Sequence, residues 1–433
     1  MSTTRFLSGI KPTGAPHLGN YVGMIRPAVA ASRQPGVESF YFLADYHALI
    51  GSDDPERIHR STLEIAATWL AVGLDPDHVV FYRQSDIPEI PKLNWLLSCV
   101  TGKGLLNRAH AYKAAQDRNA AAGRDADDGV SVGLYMYPVL MAADILLFKA
   151  DKVPVGRDQI QHVEIARDIA ASFNHLYGEH FVPPEAVIDE QVATLAGLDG
   201  RKMSKSYDNT IPLFSSRDQL QKLIAGIQTD SRAPGEPKET EGSALFQIFQ
   251  AFATPGQAAD LRRRYAEGIA WGEAKALLLD QVDGALAPAR ARYEALIAEP
   301  GRIEDVLLDG AERARAIATP FIQELRAAVG LRSLRTQALA PPKAAPAKAQ
   351  QPAVFKQYRG SDGRFYFKLV GAQGRLLLQS RGFAAPRDAG QAIARLQRKG
   401  EAALAALAGQ IDTAATADVA PQDLAAALQS LGA

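Results

Sequence analysis

The chain has 433 residues but little cysteine, no long apolar run and no net charge. Its single cysteine, Cys99, excludes a disulfide framework, a cysteine-ligated zinc site and a thiolate-bound iron–sulfur cluster. We expect one buried thiol, as suits a reducing cytosol. The longest apolar stretch, Val132 to Phe148, is broken by Pro138 and Asp144 and falls short of the about 20 residues that span a bilayer. Residues 1–10 lack the apolar segment of a secretory signal, so we expect a cytoplasmic protein without membrane segments.

The composition is that of an ordinary globular protein. Basic and acidic side chains balance at 48 each, which indicates neither a polyanion-binding nor an acidic protein overall, although a local basic face can still bind nucleic acid. Hydrophobic residues make up 47% and charged residues 22%, which excludes a disordered or collagen-like chain. The length predicts two or three domains.

The first 85 residues alternate between strand and helix patterns. The predicted strands are Arg5 to Gly9, Ser39 to Ala44 and Val79 to Tyr82, and the predicted helices are Leu18 to Ala31 and Pro55 to Val72. This order predicts an α/β fold whose parallel sheet has a ligand site at its strand ends. Residues 108–130 are polar and predict a mobile insertion. From Ser216 to about Leu331 helical spacing dominates, so a helical half follows the α/β half.

A proline-rich segment separates the last part of the chain. Residues 341–352, PPKAAPAKAQQP, contain four prolines and predict a stiff linker, which we place at residues 336–353. Beyond it, two strands are predicted at Arg364 to Val370 and Arg375 to Gln379, and a short helix at Asp388 to Leu396. Residues 354–410 are therefore expected to form a small α+β module, followed by an alanine-rich tail at residues 411–433.

A glycine-rich turn follows the first strand, in the sequence SGIKPTGAPHLGN at residues 8–20. The start of a helix presents free N–H groups and a positive dipole end, which suit a phosphate. Glycines such as Gly9, Gly14 and Gly19 allow a nucleotide to approach the backbone closely. His17 and Asn20 lie about one turn apart and can face the same phosphates. The alternative is an ordinary tight turn with a capping histidine.

The second motif, KMSKS at residues 202–206, places two lysines and two serines in a loop before the helical half. Such a loop can offer ammonium groups and hydroxyls to a triphosphate, although a basic pentapeptide taken alone is usually a solvated surface. HLGN lies about 180 residues upstream. Together the two motifs resemble the paired signatures of class I aminoacyl-tRNA synthetases, with HLGN close to the HIGH consensus and KMSKS complete.

A third motif narrows the amino acid. YPVLMAADILL at residues 137–147 is followed by VPVGRDQIQH at residues 153–162. Both closely resemble the tryptophanyl-tRNA synthetase family, and the resemblance covers about residues 4–331. It implies a Rossmann-like catalytic domain at residues 1–210 and a helical anticodon-binding region at residues 211–335.

The resemblance implies that Asp144 accepts the indole N–H of tryptophan. Indole is only a donor, and a buried carboxylate is costly without a donor, so we expect the substrate to satisfy Asp144 and phenylalanine to leave it unpaired. The other implied tryptophan-binding residues are His47, Tyr137, Met141, Val153, Val155 and Gln159. A helix cap or a structural salt bridge is the alternative for Asp144. Core packing is the alternative for Met141 and the valines.

The resemblance also implies an ATP site. Its residues are Lys11, Pro12, Thr13, Gly19, Asn20, Gly156, Arg157, Asp158, Val192, Lys202, Met203, Ser204, Lys205 and Ser206. Residues 156–158 fall on the ribose-binding stretch, and Val192 falls where backbone contacts adenine. Many members have glutamine at the position of Lys11 and an acidic residue at that of Arg157.

The implied reaction needs no nucleophilic side chain. The ionised carboxylate of L-tryptophan attacks the α-phosphate of ATP, and the adenylate then esterifies the terminal adenosine of tRNA(Trp). The implied catalytic residues are Lys202 and Lys205 on the pyrophosphate, with His17 and Asn20 on the opposite side of the phosphates. Mg²⁺ is expected to arrive with ATP rather than in a protein metal site, and a homodimer is expected.

Three alternatives stay open. A tyrosine-specific relative would share both signatures but should present polar partners for a phenol hydroxyl, which YPVLMAADILL does not. A non-catalytic paralogue should have lost signature residues, and a small nucleotidylyl transferase would not need the helical half.

The C-terminal module has ten basic and two acidic residues at 354–400, which indicates either a solvated basic surface or an auxiliary tRNA-binding module.

Overall fold

A computed structural model describes residues 3–188, 194–334, 353–371 and 374–431, without the side chain of Asp158. The chain forms two compact units, residues 1–332 and 333–433. Val192 and all but the last residue of the predicted linker at 336–353 lie outside the described residues.

The first unit is built around a five-stranded parallel sheet with the strand order β3-β2-β1-β4-β5. The strands are β1 Thr4–Ile10, β2 Val37–Leu43, β3 Val79–Arg83, β4 Lys152–Pro154 and β5 Glu185–Val187. The predicted α/β class and the three strands predicted in the first 85 residues are confirmed. Ile10 pairs with Leu43 and Leu43 with Arg83, so β1, β2 and β3 end at the same level. The strand order runs one way from β1 to β3 and the other way from β4 to β5. Parallel sheets open a ligand crevice at such a reversal, here between β1 and β4.

Helices cover this sheet and continue into the helical half. They are α1 Leu18–Asn20, α2 Arg26–Ala31, α3 Asp45–Ala48, α4 Pro55–Ala71, α5 Glu89–Ser98, α6 Lys103–Leu106, α7 His110–Ala121, α8 Val132–Leu147, α9 Ile160–Tyr177, α10 Arg217–Ala225, α11 Ala244–Phe252, α12 Pro255–Ala266, α13 Trp271–Ala298 and α14 Pro300–Ala328. The last of these packs Ile303 and Leu307 into one cluster with Trp69 and Phe81, so the end of the helical half lies against the sheet.

The helix predicted from Leu18 to Ala31 contains a π-helical segment, Tyr21–Ile25, between α1 and α2. Pro27 lacks the N–H that a regular helix requires. Just before it the ladder widens, and the N–H of Arg26 bonds to the carbonyl of Tyr21 five residues back.

The mobile insertion predicted at residues 108–130 is wrong, because this segment contains α7. Tyr112, Ala115 and Asn119 are buried along one side of that helix. The Asn119 Nδ2 donates to the carbonyls of Ala126 at 3.1 Å and Asp128 at 2.7 Å, which ties the following loop to the helix. Alanine and long polar residues favour a helix once one of its faces can pack. The prediction considered only how polar the segment is, and so it missed the face that packs.

Two further observations concern exposure. Cys99, expected to be buried, is exposed at the end of α5. Among the described residues, no helix combines the length and apolar character that crossing a membrane requires.

The second unit has a three-stranded antiparallel sheet in the order β6-β7-β8. Its elements are β6 Val354–Arg359, β7 Phe365–Val370, β8 Leu376–Gln379, α15 Pro386–Lys399, α16 Ala402–Ala406 and α17 Pro421–Gln429. The sequence did not predict β6, an edge strand whose side chains are nearly all exposed. Ile411 and Leu428 share a core cluster with Phe367, so the stretch expected to be a separate tail packs onto this unit.

Candidate active site

The segments that follow β2 and β3 meet α8 at the carboxylate of Asp144, which is 0% exposed. Gln84 follows β3 directly, and its Nε2 donates to Oδ1 at 2.8 Å and to Oδ2 at 3.0 Å. His47 lies on α3 just after β2, with its Nε2 2.9 Å from Oδ2. Burial raises the pKa of Asp144, and the contacts with His47 and Gln84 partly offset that rise.

The expectation that phenylalanine in place of tryptophan would leave Asp144 unpaired is therefore wrong. Both oxygens already accept hydrogen bonds, because two strand ends bring donors to them. A carboxylate offers about four lone-pair positions, so an indole N–H would add to these bonds rather than replace them. Gln84 was missed at the sequence level, and the signal for it was a polar residue directly after a buried strand.

Two other predicted tryptophan-pocket residues, Tyr137 and Gln159, are linked through His162. The Tyr137 Oη lies 2.5 Å from the Nε2 of His162, whose Nδ1 lies 3.0 Å from the Oε1 of Gln159. The Tyr137 ring also packs edge-on against His47, with ring centroids 6.1 Å apart. These contacts join α8 to the start of α9, and His162 is a further residue that was not singled out.

The apolar members of the predicted pocket differ in burial. Met141 and Val155 are partly buried against the main core, which leaves part of each surface accessible. Val153 is 2% exposed and belongs to that core, which favours the packing interpretation for its side chain.

His17 caps the helix that follows it. Its Nδ1 accepts from the N–H of Asn20 at 3.3 Å, while the Oδ1 of Asn20 accepts from the N–H of His17 at 3.1 Å. Burial and the nearby charge of Lys205 lower the pKa of His17 to about 4. The ring is therefore neutral at neutral pH, and because Nδ1 accepts, its proton lies on Nε2. His17 therefore caps this helix, and the cap leaves an N–H donor on the other side of the ring.

One lysine of the signature loop lies beside the glycine-rich turn. The Lys205 Nζ donates to the carbonyl of Thr13 at 3.4 Å and would lie 3.2 Å from a Cβ at Gly14, whose φ of 111° favours glycine. Burial lowers the pKa of Lys205, and also that of Lys11 at the end of β1. The Lys202 side chain is exposed, and the backbone of Lys202 pairs with Ala196. The structure therefore brings Lys205, but not the Lys202 side chain, to the turn.

Backbone pairing ties the first signature to residues 211–213, which follow the second signature. The N–H of Leu18 donates to the carbonyl of Ile211 at 2.9 Å, and that of Leu213 to the carbonyl of Pro16 at 3.0 Å. Met203 is buried, and its Sδ accepts from the N–H of Gly19 at 3.4 Å. The Met203 side chain therefore anchors the loop.

Asn209 holds the signature loop through hydrogen bonds to its backbone, and it was not predicted from the sequence. It is buried, and its Oδ1 accepts from the N–H of Ser204 at 2.8 Å. Its Nδ2 donates to the carbonyl of Lys202 at 3.1 Å and to the Asp199 Oδ1 at 2.6 Å. The hydroxyls of Ser204 and Ser206 lie 2.7 Å apart. A polar residue three positions after the motif was the available signal.

The remaining predicted ATP residues follow two neighbouring strands. Lys11, Pro12 and Thr13 follow β1, and residues 156–157 follow β4, on either side of the point where the strand order reverses. Neither the Asp158 side chain nor Val192 belongs to the described structure. Within the described ranges, no group of three histidine, cysteine or acidic side chains could hold a metal ion.

Comparison with known proteins decides the family. A family model for class I tRNA synthetases (W and Y) matches residues 1–287. The tryptophan–tRNA ligase of Xanthomonas campestris is 65% identical over 394 residues, which are 90% of this chain and 91% of that protein. The chain belongs to the tryptophanyl-tRNA synthetase family. The tryptophan–tRNA ligase of Pseudomonas aeruginosa is 64% identical to this synthetase over 397 residues, 91% of this chain and 88% of that protein.

A solved structure gives the same answer for the fold. The tryptophanyl-tRNA synthetase of Campylobacter jejuni, complexed with ADP and tryptophan, is 44% identical, with a TM-score of 0.70. The match covers 76% of this synthetase and 100% of the Campylobacter chain. The predicted class I fold and family are confirmed.

The synthetase joins tryptophan to tRNA in two steps, ATP-dependent adenylate formation and transfer to the terminal adenosine of the tRNA. Its partners are therefore tryptophan, ATP and tRNA. The predicted reaction is confirmed, and the tyrosine-specific, non-catalytic and nucleotidylyl-transferase alternatives are set aside at this level of identity.

Proposed function

We propose that the crevice beyond β1 and β4 forms tryptophanyl-adenylate, with Lys205 as the main group that stabilises the departing pyrophosphate. The observation that carries this proposal is the position of Lys205, whose Nζ lies 3.4 Å from the carbonyl of Thr13. A tryptophan carboxylate is ionised at pH 7 and attacks the α-phosphate without help from a protein nucleophile. The protein's contribution is then positioning and charge stabilisation.

His17 and Asn20 complete the phosphate site. The neutral His17 ring offers its Nε2–H as a donor. The N–H of Asn20 fixes the ring by donating to Nδ1, while the Asn20 side chain accepts from the backbone N–H of His17. A neutral donor adds no positive charge beside Lys205, which therefore keeps its proton more readily. Lys202, exposed on the same loop, supplies a second ammonium group to the pyrophosphate.

Asp144 orients the indole ring in our proposal. Gln84 and His47 hold its carboxylate in place, and the indole N–H donates to a remaining lone pair. Tyr137 and Gln159 lie on the side of the pocket toward α9, and Met141 with Val155 forms its apolar wall, backed by Val153 in the core. A carboxylate fixed before the substrate arrives costs no reorganisation when it binds.

We propose Gly156, Arg157 and Asp158 for the ribose of ATP and the backbone of Val192 for adenine. Mg²⁺ enters as part of the substrate, bound to ATP phosphates, as is usual for this small cation. We also propose a cytoplasmic location.

We propose that the enzyme is a homodimer. Leu49, Trp95 and Val132 are 61%, 69% and 78% exposed, and such apolar side chains are what a partner copy would cover.

Substitution of Lys205 tests the central assignment. In single-turnover adenylate formation, Lys205→Ala should lower the rate about 10²-fold, as expected on removing one preorganised transition-state donor. The dissociation constant of tryptophan should stay unchanged, because the ammonium group acts on pyrophosphate. Lys222→Ala, which removes an exposed lysine from α10, is the matched control and should behave as the parent. A raised tryptophan dissociation constant with an unchanged rate would contradict the assignment.

A further inference from the structure

The second unit presents a sheet face that adenylate formation does not use. In the pairing of β6 with β7, Lys356 lies opposite Lys368 and Tyr358 opposite Tyr366. Phe367 and Leu369 alternate with these residues along β7 and are buried in the core of the unit. The two lysines and two tyrosines therefore share the opposite face, which we call the open face.

The two tyrosines of the open face form an ordered aromatic pair. Their ring centroids are 5.6 Å apart with an interplanar angle of 18°, and Tyr358 is 41% exposed. The Gln379 Nε2 donates to the Tyr358 Oη at 3.0 Å, and the Tyr366 Oη donates to an oxygen of Asp362 at 2.6 Å. At Gly382, a Cβ would lie 2.9 Å from the Tyr366 Oη, so a larger residue there would press on the ring. The pair is therefore fixed in place, and its Tyr358 member is exposed.

Positive charge surrounds this aromatic pair. The Lys368 Nζ lies 5.6 Å from the centroid of the Tyr358 ring. In the described part of the unit, neither Lys356 nor Lys368 forms an ion pair, whereas Arg375 is paired with Asp423. Residues 354–400 carry ten basic and two acidic side chains. The open face therefore combines available cations with exposed aromatic surface.

We propose that the open face binds single-stranded RNA, and specifically unpaired nucleotides of the substrate tRNA. Bases stack on aromatic side chains while ammonium groups contact the phosphates, which is how sheets bind single-stranded nucleic acid. A merely solvated basic surface requires the lysines but not a fixed tyrosine pair between them. A second contact on the same chain raises the effective concentration of tRNA.

The experiment uses the full-length enzyme and fluorescence anisotropy with labelled tRNA(Trp), a single-stranded RNA of about 12 nucleotides and an RNA duplex of the same length. Tyr358→Ala should weaken binding of tRNA and of the single strand at least about fivefold at fixed salt, and should leave duplex binding unchanged. Tyr358→Phe keeps the ring and should bind as the parent does. Tryptophan-dependent pyrophosphate exchange at the parent's rate shows that each variant retains an intact catalytic unit.

The lysines are tested through salt dependence. The Lys356→Gln, Lys368→Gln double variant should reduce the slope of log K against log salt by about 1.4, since each phosphate contact to a single strand contributes about 0.7. The matched control, Arg395→Gln with Arg398→Gln, removes two exposed charges from α15 and should reduce the slope by less than half as much. In aminoacylation, the Tyr358→Ala and lysine variants should raise the KM for tRNA.

Three results would overturn the proposal. Equal losses in the lysine variant and its arginine control would mean that overall charge, not the open face, attracts RNA. Equal losses in Tyr358→Ala and Tyr358→Phe would exclude base stacking. Binding of the duplex as tightly as the single strand would assign the surface to backbone recognition instead.

Discussion

Replacing Asp144 by asparagine tests the tryptophan pocket most directly. Asparagine keeps the size of the side chain and one oxygen, but its NH₂ group cannot accept the indole N–H. Losing a hydrogen bond to a charged acceptor costs about 1.5–3 kcal/mol. We therefore expect kcat/KM for tryptophan to fall roughly 10- to 150-fold in pyrophosphate exchange.

The same substitution also affects folding, because Asp144 has 0% exposure and accepts from Gln84 and His47. An amide in this position leaves a buried donor without its acceptor, at a cost of about 1–3 kcal/mol in the free energy of unfolding. Urea unfolding measures that cost separately. Kinetics are then measured well below the unfolding transition, where the variant is fully folded. Under those conditions the change in kcat/KM reports on the substrate contact alone.

A substrate analogue isolates the contact between Asp144 and the indole. In an analogue whose indole nitrogen is replaced by sulfur, the donor is absent, so the parent enzyme should use it about as poorly as Asp144→Asn uses tryptophan. The variant should discriminate little between tryptophan and the analogue, because neither can make the bond. If the substitution lowers kcat/KM equally for tryptophan and for the analogue, the indole does not bind Asp144 and the reasoning fails.

The remaining predictions concern the supports of the site. Asn209→Ala removes the bond to the N–H of Ser204 and should lower the adenylation rate, with tryptophan affinity unchanged in equilibrium titration. Gln84→Met removes donors that lower the pKa of Asp144, so the acid limb of kcat/KM for tryptophan should move to higher pH; an unmoved limb would mean another group titrates there. Folding lowers the pKa of His17 from 6.5 to about 4. On acidification, His17 is therefore protonated at a higher pH in the unfolded chain than in the folded one, which favours unfolding. Stability should fall between pH 6.5 and about 4 with a slope approaching 1.4 kcal/mol per pH unit, and His17→Asn, which can still cap the helix, should flatten that slope in urea unfolding. Chelation of Mg²⁺ should abolish exchange, while tryptophan binding measured in the absence of ATP persists.

Local patterns in the sequence were enough to predict the three strands of the first 85 residues and the reaction. The strands and helices of the first 85 residues follow from hydrophobic spacing and turn residues, which act within a few residues of one another. The signatures HLGN and KMSKS, with the stretch around Asp144, led to the family and its chemistry. These motifs could be read directly because each combines the required residue types within one short segment.

Tertiary structure alone decided which side chains support that chemistry. Residues 47, 84 and 144 are far apart in the chain, and they meet only because parallel strands end at one level beneath α8. Asn209 holds the signature loop through contacts that its neighbours in sequence do not reveal. Strand β6 and helix α7 were missed for the same reason. The side chains of α7 look polar in sequence, and only packing against distant segments decides which face is buried. Strand β6 buries almost no side chain, and it forms because its backbone pairs with β7.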